Sequence, residues 1–284
     1  MDSYEERVKH LQSVSRGLRE YLNSLPHEAW SRPSACHRWR VDDVVAHLVA
    51  VAESYAQTVS RGRQRAASPP PGRQPAGADT GASAAERIAT GAIAMRERLG
   101  DGLLAAFEEA VSDLNRILTN LSPEEQSLPC YHPGGTVPAG NFIDLWLNEL
   151  TIHQWDIQSS LEADARLSPQ GLPSTALMFT RSLAAGALRW AFWPGPKLPT
   201  PVRYRFEVTG PIPLNADIAV EGDQVRLEEP GTGVSDIVFR CDTETFVLLM
   251  YGRLTAAEAI DRGSLETQGD PGDVARFSQW FRGI

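Results

Sequence analysis

Glu149 and His153 are residues whose types and spacing invite chemistry. They stand four apart in the stretch from Asn141 to Ile157, which has no Gly or Pro and carries apolar residues at helical spacing. On a helix both side chains leave the same face, one turn apart. So placed, a carboxylate and an imidazole can bind one metal ion together, or hydrogen-bond to each other. Helical bundles build metal sites from facing helices, so a third ligand is sought on a neighbouring helix. Among the six histidines His47 fits best, lying mid-helix in Val44-Val45-Ala46-His47-Leu48-Val49-Ala50. His10 lies in a polar part of the first helix, and His27, His37 and His132 fall in expected loops. Two neutral imidazoles and one carboxylate suit Zn²⁺ and leave its fourth position open for water or substrate. The same set serves Fe²⁺, Ni²⁺ or Mn²⁺. Asp156, three residues after His153, can orient a ligand or hold a polar group of a bound molecule. A buried histidine is more often a hydrogen-bonded core residue, and spacing alone leaves both readings open.

The elements that would position these residues are legible from periodicity. Apolar residues at Val8, Leu11, Val14, Leu18, Tyr21 and Leu22 predict a helix from about Tyr4 to Leu25, ended by Pro26. Val41-Asp42-Asp43 opens a second helix, to about Val59, with its acidic pair favoured by the helix dipole. Arg61 to Ser83, around Pro69-Pro70-Pro71-Gly72, reads as a mobile surface loop. A third helical region covers about Ala84 to Leu121, with a kink expected near Gly100-Asp101-Gly102. Pro129 to Gly140 reads as a loop, and the Glu149 helix follows it. Four long helices at this spacing predict an antiparallel bundle. A fifth helix is expected over Leu172 to Phe192, and the proline-rich Trp193 to Pro201 marks a boundary. The expected domains are therefore 1–195, helical, and 200–284.

The second domain has a different character. Val202-Arg203-Tyr204-Arg205-Phe206-Glu207-Val208 alternates as a half-buried strand does. Further strands are expected at Ala216–Glu221, Gln224–Glu228 and Asp236–Cys241. Helices should follow at Thr243–Tyr251, Ala256–Asp261 and Pro271–Phe281, the first two capped by Asp242 and Thr255. Strands first and helices after predict an α+β domain.

The totals narrow the function. A net charge of −9 argues against a nucleic-acid backbone or an anionic membrane as the main partner. No apolar run approaches the length of a membrane span. Three cysteines, Cys36, Cys130 and Cys241, form no CxxC pair, and the polar N-terminus shows no signal peptide, so a reducing, cytoplasmic setting is expected. Monomer and dimer are both compatible with the sequence.

Two motifs add a resemblance. Cys36-His37-Arg38-Trp39-Arg40-Val41-Asp42-Asp43-Val44-Val45-Ala46-His47-Leu48 resembles the C-x-G-W-[TS]-V-x-D-[LV]-x-A-H-L signature of the DinB-like metal-binding four-helix bundles. Glu149 to Ile157 resembles the E-x-x-x-H-x-W-D-[LI] signature of the mycothiol-dependent maleylpyruvate isomerase family. Asp242 to Phe246, Gly252 to Thr255 and Gly269-Asp270 with Phe277 are similar to a sterol-carrier-protein-type domain. The resemblance covers nearly the whole chain except 61–83. It implies His47, Glu149 and His153 as metal ligands acting in catalysis through the metal, and a low-molecular-weight thiol, mycothiol, as cosubstrate. A free thiol is mostly protonated at neutral pH, and coordination to a divalent metal deprotonates it for attack on a small electrophile. Isomerisation or S-transfer would follow.

The sequence departs from the family where Arg38 stands in place of the usual Gly. An arginine of the family's second domain lies near its active site, and Arg203, Arg205 and Arg240 are the candidates here. Cys36 reads as packing or loop structure, and Trp39 and Trp155 as core anchors. The alternative is a non-catalytic small-molecule or lipid-binding protein with a structural metal, which would need an apolar tunnel in 202–284.

Overall fold

The computed structural model describes residues 3–73, 75, 81–184, 191–231 and 233–282. Its contacts divide the chain into two compact units, one of Met1–Asp79 with Glu86–Thr175, the other of Thr80–Ala85 with Ala176–Ile284.

The first unit is built on four long helices: α1 (Tyr4–Ser24), α2 (Val41–Arg63), α4 (Leu103–Thr119) and α6 (Phe142–Gln158), with α3 (Gly81–Leu99) leading into α4. Helix α1 packs on α4 and α6, and α2 packs on the same two, so the four close a bundle. Each apolar stripe faces inward: Leu11, Val14, Leu18 and Leu22 of α1, Phe107, Leu114 and Leu118 of α4, and Phe142, Trp146 and Leu150 of α6 are buried. The expected third helical region breaks at Gly100–Gly102, which form a 3₁₀ turn, with Gly100 at φ 50°.

Polar contacts fix the register of α6. Trp146 Nε1 donates to Asn115 Oδ1 on α4 at 3.1 Å, and Asn115 Nδ2 donates to Ser15 Oγ on α1 at 3.0 Å. Arg7 of α1 pairs with Asp144 at 2.6 Å. Thr151, fully buried on α6, lies against Gly171, where an added Cβ would overlap Thr151 Oγ1.

Several boundaries differ from the sequence expectation. Helix α2 runs on to Arg63 and α3 begins at Gly81, so both ends of the expected 61–83 loop are helical. Residues 74 and 76–80 of that loop lie outside the described residues. The short helix α5 (Pro123–Gln126) is followed by a hairpin, β1 (Pro129–His132) with β2 (Gly135–Pro138), where a loop was expected. Gly135, at φ 144°, makes its tight turn. Helix α7 spans Leu172–Ala184. Residues 185–190 of the expected fifth helix lie outside the described residues, and Phe192 is not helical but forms a bridge with Phe281.

The second unit is α+β. Its sheet has the order β5-β4-β3-β6-β7, from β3 (Val202–Thr209), β4 (Leu214–Val220), β5 (Val225–Glu228), β6 (Ile237–Asp242) and β7 (Leu265–Gly269). β3 and β6 pair in parallel and the other neighbours antiparallel. Helices α8 (Thr243–Met250), α9 (Ala256–Asp261) and α10 (Pro271–Trp280) complete it. Asp242 accepts from Thr245 N and Thr255 from Glu258 N, as their cap positions predict. β7, between α9 and α10, breaks the expected order of strands first and helices after. Tyr204, Phe206, Phe239 and Phe277 form a ring cluster with centroids 5.0–5.7 Å apart. Among the described residues of both units, no helix is long and apolar enough to cross a membrane.

Two stability predictions follow from this packing. Gly171→Ala is expected to cost about 2 kcal/mol by overpacking against Thr151, and adding Thr151→Ala should restore part of the loss. Denaturant unfolding of the single and double variants checks this, and a single-variant loss below about 0.5 kcal/mol would refute the tight contact. Arg38 sits at φ 73°, the left-handed region that glycine adopts freely. Arg38→Gly is therefore expected to hold or raise the melting temperature. Arg38→Val should lower it by about 2–4 °C, and thermal unfolding of both variants is the measurement.

Candidate functional site

His47 leaves α2 toward α6, where Glu149 and His153 leave one face a turn apart. His47 Nε2 lies 3.2 Å from Glu149 Oε2, and His153 Nε2 lies 3.4 Å from the same oxygen. The two imidazole centroids are 4.8 Å apart. The side chains are 13%, 21% and 8% exposed for His47, Glu149 and His153, so the cluster is sunk in the bundle yet reached by solvent.

The electrostatics follow from that position. Burial pushes the Glu149 carboxyl up, but hydrogen bonds with His153 and His47 outweigh it and hold the group below the ordinary carboxylate range. Burial lowers the proton affinity of His47 more than its contact with Glu149 raises it. His153 is also opposed by burial, yet its contacts with Asp156, Cys36 and Glu149 hold it well above the ordinary imidazole value. Without a cation, then, the carboxylate is ionised and His153 shares its proton among acceptors.

The donor atoms of His47, Glu149 and His153 all lie within 4.8 Å of one another, a spacing that one ion can bridge. Two imidazole nitrogens and a carboxylate oxygen are the donor types of a three-ligand zinc site, so the residues fit a divalent cation chemically.

Asp156 stands behind this cluster. It is fully buried, and its Oδ2 lies 2.8 Å from His153 Nδ1. That contact makes Nδ1 a donor to Asp156 and leaves Nε2 as the nitrogen that faces Glu149 and His47. Cys36 Sγ donates to the same Oδ2 at 2.9 Å and lies 3.8 Å from His153 Nδ1. Cys36, His153 and Asp156 form a second group of possible metal donors. Their short spacings are those of hydrogen bonds, and they support His153 from its far side. Ala35 N also donates to Asp156 O at 3.0 Å, docking the loop before α2 onto α6. Cys36, read from sequence as packing, is 2% exposed and also holds the aspartate.

Trp39, read as a core anchor, is buried with its ring 5.0 Å from His47 and 6.0 Å from His153, walling one side of the cluster. His132, set aside as a loop residue, lies at the end of β1 between Tyr55 and Phe142, with centroids at 6.1 and 6.3 Å. Burial lowers its proton affinity, and the charge of Glu149 acts the other way. Only recognition of the hairpin would have pointed to it. The three arginines considered in the second unit all pair within the sheet: Arg203 with Glu228 at 3.0 Å, Arg205 with Asp217 at 2.8 Å and Arg240 with Glu207 at 2.7 Å.

Comparison with known proteins places the fold. Residues 11–158 match the mycothiol maleylpyruvate isomerase N-terminal domain, and residues 201–282 match the SCP-2 sterol transfer family. No curated protein matches the chain. The crystal structure of a mycothiol-dependent maleylpyruvate isomerase superposes with a TM-score of 0.59 at 18% identity, covering 89% of this chain and 90% of the other. A point mutant of such an isomerase superposes with a TM-score of 0.61 at 16% identity, covering 94% and 93%. These likenesses extend over both units, the helical one and the α+β one. With more than half of its length accounted for by the first of the two matches, the chain belongs to the mycothiol maleylpyruvate isomerase N-terminal domain family.

Proposed function

We propose that the chain is a metal-dependent enzyme that uses a low-molecular-weight thiol, mycothiol, to act on a small electrophilic substrate by isomerisation or S-transfer. The observation that carries this reading is the convergence of His47 Nε2, His153 Nε2 and Glu149 Oε2 at a spot buried in the bundle but reached by solvent. Family membership supports the choice of thiol. His47, Glu149 and His153 would hold the cation, most simply Zn²⁺. Held there, a divalent ion would supply Lewis-acid chemistry, lowering the pKa of a thiol bound to it.

The protein's own groups prepare the site. Glu149 stays ionised between its two imidazoles and offers the negative charge that draws a cation in. His47, neutral through burial, can turn Nε2 from a donor to Glu149 into a ligand atom by a change of tautomer, with no net loss of a proton. Asp156 accepts from His153 Nδ1 and holds the ring in one orientation, and Cys36 holds Asp156 in turn. The Trp39 ring covers one flank.

The alternative of a lipid carrier with a structural metal is less well supported. Where it needs an apolar tunnel, the second unit has interlocked, fully buried rings of Tyr204, Phe206, Phe239 and Phe277.

Purified protein is expected to bind about one Zn²⁺ per chain. His47→Ala, Glu149→Ala and His153→Ala should each weaken binding by about a hundredfold or more while the helical circular dichroism is kept. Zinc-loaded protein should bind mycothiol and metal-free protein should not. Mass spectrometry with mycothiol, bacillithiol and glutathione against a panel of electrophiles then identifies the reaction. Mycothiol binding that persisted unchanged in the metal-free variants would refute the proposal. Asp156→Asn leaves the three ligands in place but loosens His153, so it should lower zinc affinity by roughly 10- to 100-fold, measured by chelator competition.

A further inference from the structure

Three tryptophans of the first unit bury their rings near α6, and two of them satisfy the indole N–H. Trp146 Nε1 donates to Asn115 Oδ1 at 3.1 Å and Trp155 Nε1 to Ala165 O at 3.2 Å. Trp39 differs. The residue is 5% exposed, and its buried Nε1 has no hydrogen-bond partner among the described residues. An indole N–H can only donate, and a buried donor without an acceptor is rare enough to require an explanation.

The backbone around it is fully engaged. Trp39 N donates to Cys36 O at 3.1 Å, and Trp39 O accepts from Ser34 N at 2.9 Å and Ser34 Oγ at 3.0 Å. The loop itself is tied to α6 through Ala35 and Cys36. The orphaned N–H therefore belongs to a residue whose main chain is fixed beside His47 and His153, with ring centroids at 5.0 and 6.0 Å. Once the two Nε2 atoms and Glu149 Oε2 hold a cation, none of these three atoms can donate. An anionic ligand entering the same space would bring acceptor capacity for which the cluster itself provides no donor.

We propose that the Trp39 indole N–H donates a hydrogen bond to the sulfur of the small thiol that enters this site, making Trp39 a specificity-determining residue for that ligand. This rests on the reading of the site as one for a cation and a thiol. N–H···S donation stabilises the anionic form of the sulfur over the neutral one.

The test is titration of zinc-loaded protein with mycothiol by calorimetry. It compares wild type, Trp39→Phe and a chain in which the Trp39 indole is replaced by its benzothiophene isostere, which keeps the ring shape and lacks the N–H. Both altered proteins should bind mycothiol about tenfold more weakly, with zinc affinity by chelator competition unchanged. In wild type, the indole N–H resonance that is missing from Trp39→Phe should move downfield when mycothiol is added. Equal mycothiol affinity in all three proteins, or weakening in Trp39→Phe but not in the isostere, overturns the proposal. So does a loss of zinc affinity in parallel with that for mycothiol, which would mark a merely structural role. Wild-type protein that binds zinc but not mycothiol overturns the functional reading itself, and the role of Trp39 with it.

Discussion

A carboxylate ionised inside a helical bundle is the constraint around which the first unit is arranged. Burial alone drives Glu149 toward its neutral form, and only the hydrogen bonds with His47 and His153 reverse that. His153 comes with Glu149 by helical spacing. His47 is 102 residues away and must be delivered by the packing of α2 on α6. Slippage of α6 by one turn would separate His47 from the carboxylate and leave a buried charge poorly paired. The contacts that prevent it act near the start and the middle of the helix: Arg7 with Asp144, Trp146 with Asn115, and Thr151 against Gly171.

Asp156 couples this constraint to the loop before α2. Its carboxylate is fully buried and takes both His153 Nδ1 and the Cys36 thiol on one oxygen, while its carbonyl takes Ala35 N. A buried carboxylate stripped of its donors is costly, by several kcal/mol, so the loop and the imidazole are held together or not at all. The same anchoring brings Trp39 against the two histidines. The loop fixes one wall of the cluster and the orientation of one of its imidazoles in a single step.

What the sequence revealed depended on whether the signal was local. Glu149 and His153 were legible because four residues along a helix is a fixed geometry, and His47 because a histidine among valines and alanines implies a buried face. The strand Val202–Thr209 was legible from strict alternation, and the caps of α8 and α9 from Asp242 and Thr255. The bond between Cys36 and Asp156 spans 120 residues and has no local trace. The hairpin at Pro129–Pro138 was hidden by the prolines and glycines that form its ends and turn, and His132 was hidden with it. β7 escaped because Leu265-Glu266-Thr267-Gln268-Gly269 has one apolar residue, as suits the edge of a sheet where only Leu265 is buried. The end of α2 at Arg63 is held by tertiary contacts, with Gly62 against Cys130 and Arg63 paired with Glu125, that the proline-rich composition after it does not reveal.

The direction of the ring nitrogens bears on which kind of metal site this chain can make. A structural zinc site is closed by four protein ligands, whereas a catalytic one keeps a position open. Besides the three converging residues, Cys36 is the thiol nearest to them, and its Sγ approaches His153 at Nδ1. The Nε2 atom that faces Glu149 lies on the other side of the same ring. One imidazole cannot direct both nitrogens at a single ion, so Cys36, on the Nδ1 side of His153, could not join a cation held at Nε2. The remaining flank is taken by the Trp39 ring, which offers a donor and no ligand atom. Partial exposure of His47 and Glu149 leaves a route from solvent. Three converging groups that could hold a cation, a buried indole ring beside them and partial exposure to solvent fit the proposed catalytic reading better than a closed structural site.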